Sequence, residues 1–283
     1  MITLYEPAFA KVNLTLDVLC KRDDGYHEIE TVMQSVSLCD EIEIDLDTGK
    51  PWCIKCDAQG IPLDERNLVW KAARLYFDAI SQEPDGIEIR IKKRIPSEAG
   101  LAGGSADAAA VLRALNRHNG NVFSDSALAD LSSKIGSDIP FCVRKETALA
   151  SGRGEKLSAL ECNAQIYYVI CKPELAFSTP KLYAKLDTVP IMQHPDTKAM
   201  CEALRDGNTA CIGELVCNVF EEAVDDLQID EIKQALLQNG ACGAQMTGSG
   251  SAVYGIFATA EAANTAAIAL KKQCDKVFVA QNV

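Results

Sequence analysis

A glycine-rich segment between a β-strand and a helix constrains the fold more than any other feature of the sequence. Residues 87–91 alternate isoleucine with charged residues, as in a strand with one buried face, and residues 108–115 form an alanine-rich helical pattern. The intervening segment has glycines at positions 100, 103 and 104. Glycines allow the backbone to approach a ligand closely, and the first turn of a helix offers unpaired N–H groups and the positive end of the helix dipole. The sequence therefore predicts a phosphate-binding loop. It comprises Pro96, Ser97, Glu98, Ala99, Gly100, Leu101, Ala102, Gly103, Gly104, Ser105 and Ala106.

This loop differs from the two common phosphate-binding fingerprints. No Gly-Lys-Ser/Thr follows, as it would in a Walker A loop, and the glycine spacing is not G-x-G-x-x-G. The alternative is a flexible strand-to-helix turn, which would need only one or two glycines. We therefore favour phosphate binding.

Strand and helix patterns recur along the whole chain and predict an α+β protein in two parts. The first part has strand patterns at 12–18, 42–46 and 87–91 and helical patterns at 68–80, 105–118 and 124–135. The second has strand patterns at 166–171, 252–257 and near 277, and helical patterns at 197–205, 212–220, 229–237 and 260–272. We predict domains at residues 1–160 and 161–283.

Composition excludes several classes of protein. The chain has 28 Lys plus Arg against 40 Asp plus Glu, a net charge of −12, and such an acidic surface disfavours nucleic acids and anionic membranes as partners. No apolar run approaches the roughly 20 residues of a membrane span, and Glu6 and Lys11 interrupt any signal peptide, so we expect a cytoplasmic protein. The twelve cysteines, including a lone Cys53-x-x-Cys56, are then expected to be reduced and to bind no zinc.

Two further segments could contribute to a phosphoryl-transfer site. Gly248, Ser249 and Gly250 form a second glycine-rich segment, which alone is more typical of a hairpin turn but is a candidate second wall of an anion-binding cleft. Asp138 in Gly-Ser-Asp-Ile-Pro is usually a turn residue, yet phosphoryl transfer to a hydroxyl needs a carboxylate to accept the proton. Lys11 is a candidate cationic partner, although its spacing alone favours a solvated surface residue.

The segment Asp-Gly-Tyr-His-Glu at 24–28 has two interpretations. Asp-Gly is a tight-turn signal, and the aromatic pair that follows would then be incidental. Alternatively, Tyr26 and His27 could stack on and hydrogen-bond a flat heterocycle. The other two histidines, His118 and His194, are expected at the surface.

These segments together resemble the small-molecule kinases named after galactokinase, homoserine kinase, mevalonate kinase and phosphomevalonate kinase. The resemblance rests on the loop 96–106, the Asp138 turn and the motif 247–251. Within that superfamily, Ala-Lys-Val-Asn-Leu at 10–14 and Asp-Gly-Tyr-His-Glu-Ile-Glu-Thr at 24–31 resemble the family of 4-diphosphocytidyl-2-C-methyl-D-erythritol kinases. The match covers nearly the whole chain, in order.

The resemblance implies an activity and a set of roles. ATP with Mg²⁺ would phosphorylate the 2-hydroxyl of diphosphocytidyl-methylerythritol, a step of non-mevalonate isoprenoid biosynthesis. Lys11 and Asp138 would be catalytic, the loop 96–106 would bind the ATP phosphates, and Ser105 would approach Mg²⁺. Substrate contacts are expected from Asn13, Tyr26, His27, Thr179, Tyr183, Gly248, Ser249 and Gly250.

The resemblance also implies a fold and an assembly. It implies a two-domain α/β sandwich with a left-handed crossover in the N-terminal half, which the right-handed bias of such connections would not predict. Residues 1–160 would form the ATP-phosphate-binding domain, and residues 161–283 would complete the substrate cleft. The protein would be a monomer or a homodimer.

One position departs from the family pattern, because Ala106 replaces the second serine of the loop. We expect retained activity, since the main phosphate contacts come from backbone N–H groups. The alternatives are a kinase of the same superfamily acting on homoserine or mevalonate, against which Tyr26 and His27 argue, and a non-catalytic nucleotide sensor, against which Lys11 and Asp138 argue.

Overall fold

The computed structural model describes residues 1–274 and 276–283. Its strands are β1 (Ile2–Lys21), β2 (His27–Leu46), β3 (Cys53–Cys56), β4 (Ile87–Lys92), β5 (Thr147–Ser151), β6 (Lys156–Ala159), β7 (Tyr167–Lys172), β8 (Cys217–Asn218), β9 (Gly243–Met246), β10 (Val253–Phe257) and β11 (Lys276–Gln281). Its α-helices are α1 (Leu68–Ala79), α2 (Gly103–His118), α3 (Asp125–Ser132), α4 (Ile139–Arg144), α5 (Thr179–Leu186), α6 (Thr197–Asp206), α7 (Thr209–Leu215), α8 (Leu227–Gln238) and α9 (Ala260–Leu270). A 3-10 helix spans Val219–Ala223.

The chain divides into two compact units that interleave in sequence. The first unit comprises Met1–Ala10, Cys39–Ile95 and Ala102–Lys145. The second unit comprises Lys11–Leu38, Pro96–Leu101 and Glu146–Val283. The domain boundary that we expect at residue 160 stays a prediction.

In the first unit, β3, β4 and the C-terminal half of β2 form a short sheet. The C-terminal half of β2 pairs antiparallel with β4, with Ile44 opposite Ile89, and β3 pairs with β4 in parallel. Ile87, Ile89 and Ile91 are buried, as their alternation predicts. Helices α1 and α2 pack on each other, and the alanine-rich face of α2 is buried because small side chains allow close approach.

In the second unit, a four-stranded antiparallel sheet has the order β11-β7-β10-β9. The central strands β7 and β10 are almost wholly apolar and buried, and helices α8 and α9 pack against the sheet. The N-terminal half of β2 pairs with β5, and β5 pairs with β6. Strand β1 pairs in parallel with β8 at Thr15 and Leu16.

The predicted α+β class is confirmed, with one helix wrong. We expected a helix at 212–220, but α7 ends at Leu215 and the chain continues as β8 and the 3-10 helix. The buried Asn218 explains the break: its side-chain amide donates to the carbonyls of Met246 and Gly248 at 2.8 Å each, and its Oδ1 accepts from the N–H of Phe220. Among the described residues, no helix has the length and apolar character of a membrane span.

Candidate functional site

Helix α2 begins without a side-chain cap, as a phosphate-binding helix would. The residue before it, Ala102, has a left-handed backbone with φ of +57°, and no side chain bonds the first turn. The first helical hydrogen bond runs from the Ala106 N–H to the Ala102 carbonyl at 2.8 Å, so the N–H groups of Gly103, Gly104 and Ser105 precede it. No acidic residue lies in this turn. The turn therefore offers donors and a positive dipole end to an anion.

Positions 105 and 106, where the family pattern has two serines, differ in environment. Ser105 is half-buried, whereas Ala106 is only 1% exposed. The hydroxyl that the family pattern would place at 106 therefore belongs to a buried position, and its absence leaves the exposed part of the turn unchanged.

A buried ionic cluster that the sequence reasoning missed supports this end of the loop. Asp40 accepts hydrogen bonds from the backbone N–H groups of Arg94 and Ile95, and from the Lys93 ammonium. Lys93 also donates to Asp107 of α2 at 2.8 Å. Burial raises the pKa of Asp107 to about 7, and the neighbouring Asp40 acts in the same direction. The cluster ties the end of β4 to α2, and its only sequence signal is an aspartate in the alanine-rich helix.

In the second unit, the loop segment 96–101 meets the second glycine-rich segment. The Ser251 N–H donates to the Glu98 carbonyl, and the Ala252 N–H donates to the Ala99 carbonyl at 3.2 Å. A Cβ on Gly100 would lie 2.0 Å from the Thr247 carbonyl oxygen, and Gly100 has φ of +71°, so only glycine fits. The predicted pairing of the two glycine-rich segments is present for this half of the loop.

Lys11 is buried in the second unit, so its interpretation as a solvated surface residue is wrong. Its side chain is 4% exposed, and its Nζ donates to Asn13 Oδ1 at 2.6 Å. A Cβ on Gly248 would lie 3.4 Å from this Nζ, which places the ammonium beside the second glycine-rich segment. Within the described part of the second unit no carboxylate pairs with Lys11, so its charge remains available to an anionic group.

Asn13 is held in a network that the sequence did not reveal. Its Nδ2 donates to Thr31 Oγ1 at 2.8 Å, and its backbone N–H donates to Thr247 Oγ1 at 3.1 Å. Its backbone carbonyl accepts from the Tyr254 hydroxyl at 2.8 Å. These bonds orient the amide oxygen toward Lys11, so Asn13 positions the lysine and keeps only part of its hydrogen-bonding capacity for a ligand.

Asp138 lies in the first unit at the start of α4 and is half-buried. An aspartate at this position commonly caps the helix with its carboxylate, but this side chain makes no capping bond, and only its backbone carbonyl accepts from the Cys142 N–H at 3.1 Å. Among the described residues of the first unit the carboxylate is not consumed by the fold.

The aromatic residues of the predicted base site lie together in the second unit. The rings of His27 and Tyr183 stack directly, with centroids 4.5 Å apart and planes 15° from parallel, and Tyr183 packs edge-on against Phe220. A base inserted between the first two rings would need a separation of about 7 Å, two van der Waals contacts, so it would have to part them. Tyr26 is 55% exposed, with the Arg153 guanidinium 4.9 Å from its ring centre.

Helix α5 links these residues to the second glycine-rich segment. It begins at Thr179, whose Oγ1 bonds the Ser249 hydroxyl at 2.6 Å. It ends next to Asp187, whose carboxylate accepts from Lys21 at 2.6 Å and contacts His27 Nε2 at 2.7 Å. The sequence reasoning missed Asp187, although it lies four residues after Tyr183 and therefore on the same helix face.

Among the described residues no group of His, Cys, Asp and Glu side chains is placed to hold a metal ion, and no cysteine forms a disulfide bond. His118 and His194 are exposed, as predicted. The assignment of Ser105 to Mg²⁺ stays a prediction.

Comparison with known proteins identifies the family. Residues 67–146 match the GHMP kinases N terminal domain, and residues 200–276 match the GHMP kinases C terminal domain. The 4-diphosphocytidyl-2-C-methyl-D-erythritol kinase of Caldicellulosiruptor saccharolyticus is 43% identical over 93% of this chain and 91% of the relative, and that of Clostridium tetani is 38% identical over 98% and 99%. A crystal structure of 4-(cytidine 5'-diphospho)-2C-methyl-D-erythritol kinase superposes with a TM-score of 0.81 at 31% identity, covering 98% of both chains. The chain therefore belongs to the GHMP kinases and, within them, to the 4-diphosphocytidyl-2-C-methyl-D-erythritol kinase family.

Proposed function

We propose that the protein transfers the γ-phosphoryl group of ATP to the 2-hydroxyl of 4-diphosphocytidyl-2-C-methyl-D-erythritol, in non-mevalonate isoprenoid biosynthesis in the cytoplasm. The observation that carries the proposal is the 38–43% sequence identity, over nearly the whole chain, with relatives that bear this name. The local geometry supports it, because the chain has a helix N-terminus without a side-chain cap, a buried lysine and an aspartate that makes no capping bond, as phosphoryl transfer needs an anion site, a cation and a base.

The phosphates of ATP are proposed to bind at the N-terminus of α2. There the N–H groups of Gly103, Gly104 and Ser105 would donate to phosphate oxygens, which the helix dipole also favours. Mg²⁺ would neutralise charge on the transferred group, with Ser105 as its protein contact. This local arrangement would let a protein of net charge −12 bind a polyanion.

Asp138 is the proposed general base. It would accept the proton of the attacking 2-hydroxyl, which requires an ionised carboxylate free of other partners. Lys11 would favour that ionised state and orient the hydroxyl, and Asn13 would hold the lysine in place. Mechanistically, the chain supplies a proton acceptor, a cation and an anion site.

The cytidine end of the substrate is assigned to the second unit. Tyr26 and His27 are proposed to contact the base, with Tyr183 as the further aromatic. Thr179, Gly248, Ser249 and Gly250 would contact the rest of the substrate, since Thr179 and Ser249 hydrogen-bond each other beside the second glycine-rich segment. We further propose that residues 1–160 provide the ATP-phosphate domain and 161–283 complete the substrate site.

A coupled ADP-release assay tests the function. Diphosphocytidyl-methylerythritol, mevalonate and homoserine are offered separately with Mg²⁺ and ATP, and turnover is expected with the cytidine substrate. Turnover with mevalonate or homoserine alone would replace the proposal by a different kinase. No turnover with any of the three would refute a catalytic role in this pathway.

Substitution of Asp138 tests the mechanism. The Asp138→Asn variant is expected to lower kcat by at least about 100-fold with a much smaller change in KM, because the amide cannot accept the proton. Asp125→Asn is the matched control, since Asp125 is an exposed aspartate at the start of α3 in the same unit and should leave kcat unchanged. Normal turnover of Asp138→Asn would remove this residue from the mechanism.

A further inference from the structure

The contact between His27 and Asp187 fixes where the protons of the imidazole lie. His27 Nε2 is 2.7 Å from Asp187 Oδ1. Hydrogen bonds from Lys21 and His27 lower the pKa of Asp187, so its carboxylate is ionised at neutral pH and can only accept. Nε2 must therefore carry a proton and donate it. In the neutral imidazole the other nitrogen, Nδ1, is then a bare acceptor, and among the described residues it has no hydrogen-bond partner.

The orientation of this ring is fixed by its neighbours. One face of the imidazole stacks on Tyr183, and the side chain of His27 is only 8% exposed. Tyr183 and Asp187 lie one turn apart, so the end of α5 holds both the face and one edge of the ring. The imidazole cannot flip to exchange its nitrogens without losing the bond to Asp187.

The hairpin that carries His27 is also anchored. Arg22 donates to Glu28 at 2.6 Å, and Glu28 accepts from the Gly152 N–H at 2.9 Å. Lys21, the last residue of β1, donates to the same carboxylate as His27. These bonds hold the imidazole in one orientation, and His27 and Asp187 both line a cavity of about 270 Å³.

We propose that Asp187 is a positioning residue that sets the preference for cytosine over uracil by holding the Nε2 proton of His27, so that Nδ1 faces the base as an acceptor. This inference rests on the proposed function, which places the base against His27. The exocyclic amino group of cytosine donates to such an acceptor, whereas uracil has a carbonyl oxygen at the same position. The lone pairs of Nδ1 and of the uracil carbonyl oxygen would face each other. A buried acceptor that finds no donor on its ligand disfavours that ligand strongly, so uracil would bind more weakly.

The proton position can be measured without any substrate. The chain has three histidines, so nitrogen-15 NMR of the labelled protein at neutral pH resolves the tautomer of each ring. We expect His27 to be protonated at Nε2 and bare at Nδ1. A proton at Nδ1, alone or together with one at Nε2, would overturn the inference.

The specificity is tested by binding rather than turnover. Calorimetric titration of the wild-type protein with CDP and with UDP is expected to show at least about tenfold tighter binding of CDP, the value of one unpaired polar contact. In Asp187→Asn the side-chain amide can either donate to Nε2 or accept from it, so His27 is no longer held in one tautomer. The preference for CDP over UDP should then fall to about twofold or less. Both nucleotides share the ribose and the diphosphate, so a merely structural defect would weaken both equally.

Two variants of the same pocket are matched controls. Lys21→Met removes the other partner of Asp187 but keeps the carboxylate–imidazole bond. Asp17→Asn alters the second carboxylate–imidazole pair beside this cavity, between Asp17 and His194 at 2.9 Å. Both should keep the wild-type preference, and the KM for ATP should remain unchanged in all three variants.

The outcomes separate this inference from the proposed function. If the wild type prefers CDP but phosphorylates none of the three alcohols, the proposed function fails and the role of Asp187 stands. Absence of a CDP preference in the wild type, or a full preference in Asp187→Asn, overturns the role of Asp187 whatever the turnover.

Discussion

Replacing Asp40 by alanine should destabilise the protein far more than replacing its neighbour. Asp40 is fully buried and accepts bonds from the Lys93 ammonium and from the N–H groups of Arg94 and Ile95. Its removal leaves a buried ammonium with Asp107 alone and two backbone donors without their acceptor. Breaking a buried pair in this way costs about 3–5 kcal/mol, so we expect the free energy of unfolding to fall by that amount.

Glu41→Ala is the matched control for Asp40→Ala. Glu41 also carries two ion pairs, to Lys92 at 3.2 Å and to Arg94, but its side chain is 49% exposed. Exposed pairs contribute about 0–1 kcal/mol, because water screens them and already solvates the charges. Urea unfolding followed by circular dichroism measures both variants. A loss below about 1 kcal/mol in Asp40→Ala, or equal losses in the two, would refute the claim that burial makes this cluster structural.

Three further predictions concern the glycine-rich loop and the helix that follows it. Asp107 keeps its proton up to about pH 7 in the folded chain but releases it near 3.8 when unfolded, so it makes stability fall as pH rises between these values. In urea titrations the stability of Asp107→Asn relative to wild type should therefore rise across that range, and a pH-independent difference would contradict this. Gly100→Ala should lower the free energy of unfolding by about 2–4 kcal/mol, from backbone strain and a clash with the Thr247 carbonyl. Gly25→Ala, at a position with positive φ but open space, should lower it by about 1 kcal/mol, and equal shifts in melting temperature would argue against the clash. Ser105→Ala should raise the KM for MgATP about 2- to 10-fold, whereas Ala106→Ser should leave that KM within about twofold. Initial rates over a range of ATP concentrations measure both values.

The sequence was sufficient for the parts of the fold that local patterns specify. The alternation of isoleucines in β4 follows from short-range chemistry, because alternate side chains of a strand share one buried face. The helix predicted across Asn218 failed because that side chain bonds carbonyls 28 and 30 residues away, and no local pattern records such a partner.

The same limit applies to the site. The glycine-rich loop was visible from its three glycines before a helix, and Asp138 from the resemblance to the kinase superfamily. The burial of Lys11 and the roles of Asp40 and Asp187 were not, since each depends on partners that the chain brings together from distant segments. Spacing alone predicted a solvated Lys11, and the network through Asn13 overrode it.

If ATP binds at the first turn of α2 as we propose, selection for thermal stability would act against catalysis there. Like α1, α4, α5, α6 and α7, α2 has no acidic residue in its first turn, whereas α3, α8 and α9 each carry one. An Asp or Glu introduced there would gain about 0.3–1 kcal/mol from the helix dipole and would compete for the N–H donors that we propose bind the nucleotide. In a laboratory evolution experiment that selects for heat resistance alone, variants should therefore accumulate acidic residues in this turn and lose kinase activity.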